Sequence, residues 1–287
     1  MDETLADHWQ NNQRWIKHNQ ELIDHLQQCG YVERDDNLPW QPRPRILLPP
    51  VGNPEKIICI GLNYRDHAIE TGAEPPSLPI VFSKFNTALT GDHQPIELPA
   101  ISEQVDYEAE LVVVIGKTAR HVTADRVSDH IFGYTAGHDV SSRDWQKGRP
   151  GGQWLLAKSF DTFAPLGPCV VTQDALPDAG NLRIAMKLND VVVQNSKTDQ
   201  LIFDIPDLIV HLSQFMTLRP GDLIFTGTPP GVGAAATPPR YLKDGDTCQV
   251  MIEGIGCLTN HCATANRQPT PCKSSQRDDF SRLSPTL

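Results

Sequence analysis

The stretch Asp106-Tyr107-Glu108-Ala109-Glu110-Leu111-Val112-Val113-Val114-Ile115-Gly116 decides how this chain is read. Its second half is an aliphatic, β-branched run of the kind that forms a buried strand. Side chains alternate between the faces of a strand, so Glu108 and Glu110 point the same way at the strand's mouth. Two like charges at that spacing repel unless something positive lies between them. A metal ion, a lysine or plain water each meets that need.

Other residues bear on the choice. Asp139, in Gly137-His138-Asp139-Val140, ends what reads as another strand and adds a third carboxylate. Three carboxylates without a His or Cys ligand pattern make an all-oxygen set suited to Mg²⁺, Mn²⁺ or Ca²⁺. Solvent-facing acids are the competing reading, because exposure is the ordinary state of such residues. His67 and Glu70 lie three apart, on one face of a helical turn, either as a base and its orienting carboxylate or as a surface pair. Lys158 stands between apolar segments, buried with an anionic partner or snorkelling outward. Thr226-Gly227-Thr228-Pro229-Pro230-Gly231-Val232-Gly233 superficially resembles a dinucleotide fingerprint, but its prolines oppose the helix that such a loop must open. It reads either as an ordinary turn or as one presenting backbone amides and the Thr228 hydroxyl to an anion. No nucleophile elbow or Cys/His arrangement is present, which favours metal-assisted over covalent chemistry.

Along the chain, Leu5 to Gln28 has helical spacing and Gly30 a stop, followed by a proline-rich connector from Pro39 to Pro54. Strands are expected at 56–62, 80–83, 134–140, 168–172, 183–188, 191–194, 222–226, 247–252 and 256–260, with Asn189-Asp190 as a hairpin turn. Helices are expected over 122–132 and 206–215, and a glycine-rich polar loop over 141–152. The polar stretch after Thr264 reads as a disordered tail. Three regions follow: 1–55 as helix and connector, 56–263 as the main domain, and 264–287 as the tail. Weak βαβ alternation points to an α+β fold with a mixed, mostly antiparallel sheet.

A net charge of −10 without a basic run argues against nucleic-acid binding. No apolar run approaches the ~20 residues that span a bilayer. The seven cysteines are scattered without a Cys-x-x-Cys pair, which suits reduced thiols. Cys248, Cys257, His261, Cys262 and Cys272 crowd together without zinc-knuckle spacing. The start of the chain, with Asp2, Glu3 and Asp7 and no apolar segment, differs from secretory and transit peptides. A cytoplasmic protein is expected.

Taken in order, Gly61-Leu-Asn-Tyr-x-x-His67, Asp106-Tyr-Glu108-x-Glu110-Leu, Gly137-His-Asp139-Val-Ser-x-Arg143-Asp144, Lys158-Ser-Phe-Asp-Thr162 and Thr226-Gly-Thr228-Pro-x-Gly-Val-Gly233 resemble the fumarylacetoacetate hydrolase family. The likeness runs from about Lys56 to Cys262, and Arg143–Gln146 with Gly152-Gln153-Trp154 is similar to a loop of the domain-containing members. The resemblance implies a β-rich roll, usually a homodimer, with Mg²⁺ or Mn²⁺ (Ca²⁺ as an alternative) held by Glu108, Glu110 and Asp139. It implies 2-oxo acid or β-diketone substrates whose anionic end meets Lys158 and Thr228, with Gln146 nearby. It places His67 and Glu70 on a lid over the site, and makes carbon–carbon hydrolysis the first expected reaction. Decarboxylation and enol–keto isomerisation run on the same site, and a catalytically silent metal- or acid-binding protein is the alternative from another class. The loop at Arg149-Pro150-Gly151-Gly152 carries its own prolines and glycines, so substrate contacts are not transferred there.

Overall fold

A computed structural model of the chain describes residues 47–265. The helix expected over 5–28 and the tail beyond 265 lie outside the described residues. In chain order the regular elements are β1 (Ile57–Gly61), α1 (Arg65–Thr71), β2 (Ile80–Lys84), β3 (Leu89–Thr90), β4 (Pro95–Leu98), β5 (Val105–Asp106), β6 (Ala109–Ile115), β7 (Ile131–His138), β8 (Ser141–Ser142), α2 (Arg143–Gln146), α3 (Trp154–Lys158), β9 (Ala164–Thr172), β10 (Arg183–Leu188), β11 (Val191–Lys197), α4 (Ile205–Phe215), β12 (Leu223–Phe225), β13 (Thr247–Ile252) and β14 (Gly256–Thr264).

A seven-stranded sheet has the order β2-β1-β12-β6-β7-β9-β3, and a five-stranded sheet the order β11-β10-β13-β14-β4. The pairs β1–β12, β3–β9 and β4–β14 are parallel and the rest antiparallel. The fold is therefore α+β with mixed, mostly antiparallel sheets. β6 is central, and all its residues from Ala109 to Ile115 are buried, as a strand covered on both faces requires. The second sheet packs over it through β10 and β13, and β7 and β9 meet β14.

Asn189 and Asp190 turn from β10 to β11 with φ of 49° and 66°, the left-handed pair of a two-residue hairpin. α4 begins where the Asp204 carboxylate accepts the Asp207 amide at 2.8 Å, and buries Leu208, Ile209 and Leu212. The helix expected over 122–132 is a 3₁₀ segment, Ala124–His130, running directly into β7. Of that segment only Val127 is buried, so no apolar stripe favours an α-helix, and Ile131–Tyr134 pair with β6 and β9 instead. The loop expected over 141–152 contains β8 and the short α2.

Candidate metal and proton-transfer site

Pairing of β6 with β7 sets Glu110 opposite Gly137 and Ala109 opposite His138. One step further, the Asp139 amide donates to the Glu108 carbonyl at 2.9 Å. One carboxylate oxygen from each of Glu108, Glu110 and Asp139 lies within 4.8 Å of the others. Asp139 is fully buried, Glu110 is 1 % exposed and Glu108 7 %. These acids are not a solvated strand edge.

Three cations face the acids. Lys158, at the end of α3, donates from Nζ to Glu108 Oε2 at 2.9 Å and to Asp139 Oδ2 at 2.7 Å. Arg143, opening α2, donates from Nη2 to Glu108 Oε1 at 2.5 Å and from Nε to Asp106 Oδ2 at 2.8 Å. Its Nη1 donates to Gln146 Oε1 at 2.9 Å, so Gln146 joins the site through Arg143. Lys84, at the end of β2, brings Nζ to 2.6 Å from Asp139 Oδ1.

Burial alone would raise the Glu108 carboxyl, but Lys158 and Arg143 outweigh it and hold it well below the carboxylate range. Glu110 is pushed the other way, by burial first and then by Asp139 and Glu108. Burial lowers Lys84, with Asp139 partly opposing. For Lys158, burial is overcome by Asp139 and Glu108, and the ammonium is held more firmly. His138 is driven down to about 3 by burial and by Lys84, so it is neutral, and neither ring nitrogen has a hydrogen-bond partner.

The glycine turn after β12 ties the site together. Gly227 donates its amide to Glu110 Oε2 at 2.8 Å, and Gly231 to Glu70 Oε1 at 2.8 Å. Gly233 and Ala234 donate to the two oxygens of Asp106 at 2.7 and 3.0 Å. The anions met by these amides are thus the chain's own carboxylates. Positive φ at Gly227 (108°) and Gly231 (104°) is part of this geometry, since a side chain there would be strained. The Thr228 hydroxyl donates to the Ala109 carbonyl at 3.0 Å and accepts from Gln194 Nε2 at 2.9 Å. It stands beside the acids with its proton committed to β6.

His67 and Glu70 share a face of α1, with Nδ1 2.9 Å from Glu70 Oε2. A nitrogen facing a carboxylate carries the proton, which leaves Nε2 as the free base. His67 is 9 % exposed. The helix that carries it is fastened by the Gly231–Glu70 bond and by a bridge between Tyr64 and Leu201.

The donor set is all oxygen, as hard divalent cations prefer. Among the described residues no lysine or arginine forms an ion pair with Glu110, and a buried carboxylate left without a cation is costly. Asp139 Oδ1 is buried and accepts no hydrogen bond. The Lys84 ammonium lies 2.6 Å away as an ion pair, but its N–H donors are shared with three main-chain carbonyls. Four buried carboxylates (Asp106, Glu108, Glu110, Asp139) face three cations (Lys84, Arg143, Lys158). These residues fit a divalent cation.

Sequence reading passed over Lys84, Asp106, Arg143 and Gln194 as site residues. A lysine closing an edge strand reads as solvated, and Gln194 lies 85 positions from Ala109, whose amide its side chain accepts at 2.9 Å. A usable signal existed for Asp106 and Arg143, which sit inside the motifs that carry Glu108 and Asp139.

The family model described as fumarylacetoacetate (FAA) hydrolase C-terminal matches residues 56–263. The chain belongs to the fumarylacetoacetate hydrolase family. It is 50 % identical over 224 residues to a mitochondrial oxaloacetate tautomerase of Bos taurus, covering 78 % of this chain and 71 % of that one. The corresponding Homo sapiens protein is 49 % identical over the same shares. A crystal structure of a 5-carboxymethyl-2-hydroxymuconate delta-isomerase from Mycobacterium smegmatis is similar at a TM-score of 0.68 and 43 % identity, covering 77 % of this chain and 83 % of that one. Like these members of the fumarylacetoacetate hydrolase family, the protein is an enzyme of ketonic substrates. The expectation of a cytoplasmic protein is overturned, because the bovine and human relatives are named as mitochondrial. Scattered reduced thiols suit any reducing compartment, so the cysteines carried no information about which one.

Proposed function

We propose that this protein is a divalent-metal-dependent tautomerase that interconverts the keto and enol forms of a short 2-oxo dicarboxylic acid of the oxaloacetate type. One observation carries the reading. The turn from Gly227 to Gly231 hydrogen-bonds Glu110 of the acid cluster at one end and Glu70 of the histidine pair at the other. A candidate cation site and a candidate base are thus fixed to one backbone segment. The names of the bovine and human relatives support the same reaction.

Glu108, Glu110 and Asp139 would hold the cation, Mg²⁺ or Mn²⁺, which as a Lewis acid polarises a 2-oxo group and favours its enolate. Nε2 of His67 takes a proton from the carbon next to the keto group, breaking the C–H bond as the carbon–carbon double bond forms. The developing charge passes to the keto oxygen, which takes that proton back from Nε2 to give the enol and restore the neutral imidazole. Glu70 keeps the His67 ring oriented and stabilises its protonated form. Lys158, with two of its N–H bonds on Glu108 and Asp139, offers charge and its third N–H to the substrate's anionic end, with Gln146 nearby. Proton transfer between carbon and oxygen asks for one base. Carbon–carbon hydrolysis, the first expectation from sequence, asks in addition for a positioned water.

The test is a panel of oxaloacetate and acylpyruvates with the purified full chain and Mg²⁺ or Mn²⁺. Enol–keto exchange of oxaloacetate is followed by absorbance, and decarboxylation and acylpyruvate cleavage by product analysis. Exchange should exceed the buffer rate by orders of magnitude and dominate the other reactions. Acylpyruvate cleavage outrunning exchange would replace the proposal with the hydrolase reading.

A further inference from the structure

We infer that Lys84 is a positioning residue that fixes Asp139 and Lys158 relative to each other. The proposal rests on the metal-site reading above and extends it to a residue outside the acid cluster and the histidine pair.

Lys84 closes β2, an edge strand whose other residues are exposed or half-buried, yet its own side chain is fully buried. Its three N–H bonds all end on main-chain carbonyls: Val140 at 3.0 Å, Lys158 at 2.6 Å and Phe163 at 2.7 Å. Val140 follows Asp139, Lys158 ends α3, and Phe163 lies before β9. One ammonium therefore joins the backbone carrying the candidate metal ligand to the backbone carrying the candidate substrate ammonium. Its charge lies 2.6 Å from Asp139 Oδ1, while Lys158 holds Oδ2 of the same carboxylate at 2.7 Å. Asp139 is gripped from both sides, and no proton of Lys84 is left for a substrate.

A residue with only a stabilising role would leave the site intact in whatever protein stays folded. Removal of the clamp should instead loosen the Asp139–Lys158 pair, and a small misplacement of catalytic groups is costly in rate. The variants are Lys84→Met, which removes charge and donors, and Lys84→Gln, which removes the charge but keeps two N–H donors. Both are made in the full chain, checked for folding by circular dichroism, and compared with wild type in Mn²⁺ binding by electron paramagnetic resonance and in oxaloacetate exchange.

The expected result for folded Lys84→Met is a kcat lower by ~10²-fold, Mn²⁺ affinity lower by about tenfold, or both. Lys84→Gln is judged by the same criteria if Lys84→Met does not fold. A folded variant with kcat and Mn²⁺ affinity both within threefold of wild type, whatever its melting temperature, overturns the positioning role. Absence of Mn²⁺ binding by the wild-type chain would instead defeat the metal reading. The kcat comparison would still decide the role of Lys84.

Discussion

In the proposed mechanism, proton transfer turns on His67. Replacing it by alanine should slow exchange by ~10²-fold or more, as loss of a general base does, while leaving Mn²⁺ affinity within a few-fold of wild type. Near-normal exchange would remove it from the scheme. Glu110 makes a second, pH-dependent prediction. Its carboxyl is raised above the ordinary value by burial and by Asp139 and Glu108, so without a cation the folded protein retains a proton that the unfolded chain has lost. Stability therefore falls as pH rises from the ordinary carboxylate range through the raised value. Glu110→Gln removes that fall, and the cation-free variant should melt a few degrees above cation-free wild type at neutral pH. The difference should vanish at pH 4, and the variant should no longer bind Mn²⁺. A variant that melts below wild type at every pH contradicts this account of Glu110. At this scale the carboxylates were legible because strand alternation aligns Glu108 with Glu110. The cations were less so. Whether Lys158 is buried or snorkelled depends on segments far away, and nothing local to Lys84 indicates that three carbonyls converge on it.

Among the elements, the turn from Thr226 to Gly233 does most to assemble the site. A Cβ at Gly231 would lie 1.9 Å from the Val193 carbonyl oxygen at a φ of 104°. Gly231→Ala should therefore cost more than ~2 kcal/mol, lowering the melting temperature by roughly 4–8 °C for a domain of this size. It should also lower kcat, because its amide fixes Glu70. Gly245→Ala is the control: φ there is 82°, but nothing lies within 4 Å of the added carbon, so strain alone should appear and kcat should hold. Differential scanning calorimetry with kinetics separates the two. The sequence showed that this segment turns, because Gly and Pro punctuate it. It did not show that the anions on its amides are Glu70, Asp106 and Glu110, since those pairings span more than a hundred residues. The 122–132 stretch illustrates the opposite failure. Val127 and Ile131 have helical spacing, but pairing with β6 claims Ile131 for the sheet, a tertiary choice that local spacing does not encode.

For the whole molecule, most strands and the α+β class were legible because alternating and continuous apolar runs have different periods. The two-sheet arrangement was not, because parallel pairs such as β1–β12 join segments about 166 residues apart. That long-range pairing places Glu110, on β6 beside β12, next to the turn that leaves β12. A cation bound in this core should stabilise the fold. At a free Mn²⁺ concentration one hundred times its Kd, stability should rise by about 2.7 kcal/mol, which is roughly 5–11 °C in melting temperature. Glu110→Gln should abolish the shift. In the proposed mechanism, catalysis depends on a cation held by the acids at the mouth of β6. The most direct test is the rate of oxaloacetate enol–keto exchange by the full chain after exhaustive chelation, and again after Mg²⁺ or Mn²⁺ is restored. The rate should fall to background and return with the metal. Undiminished exchange by thoroughly metal-free protein would contradict that dependence.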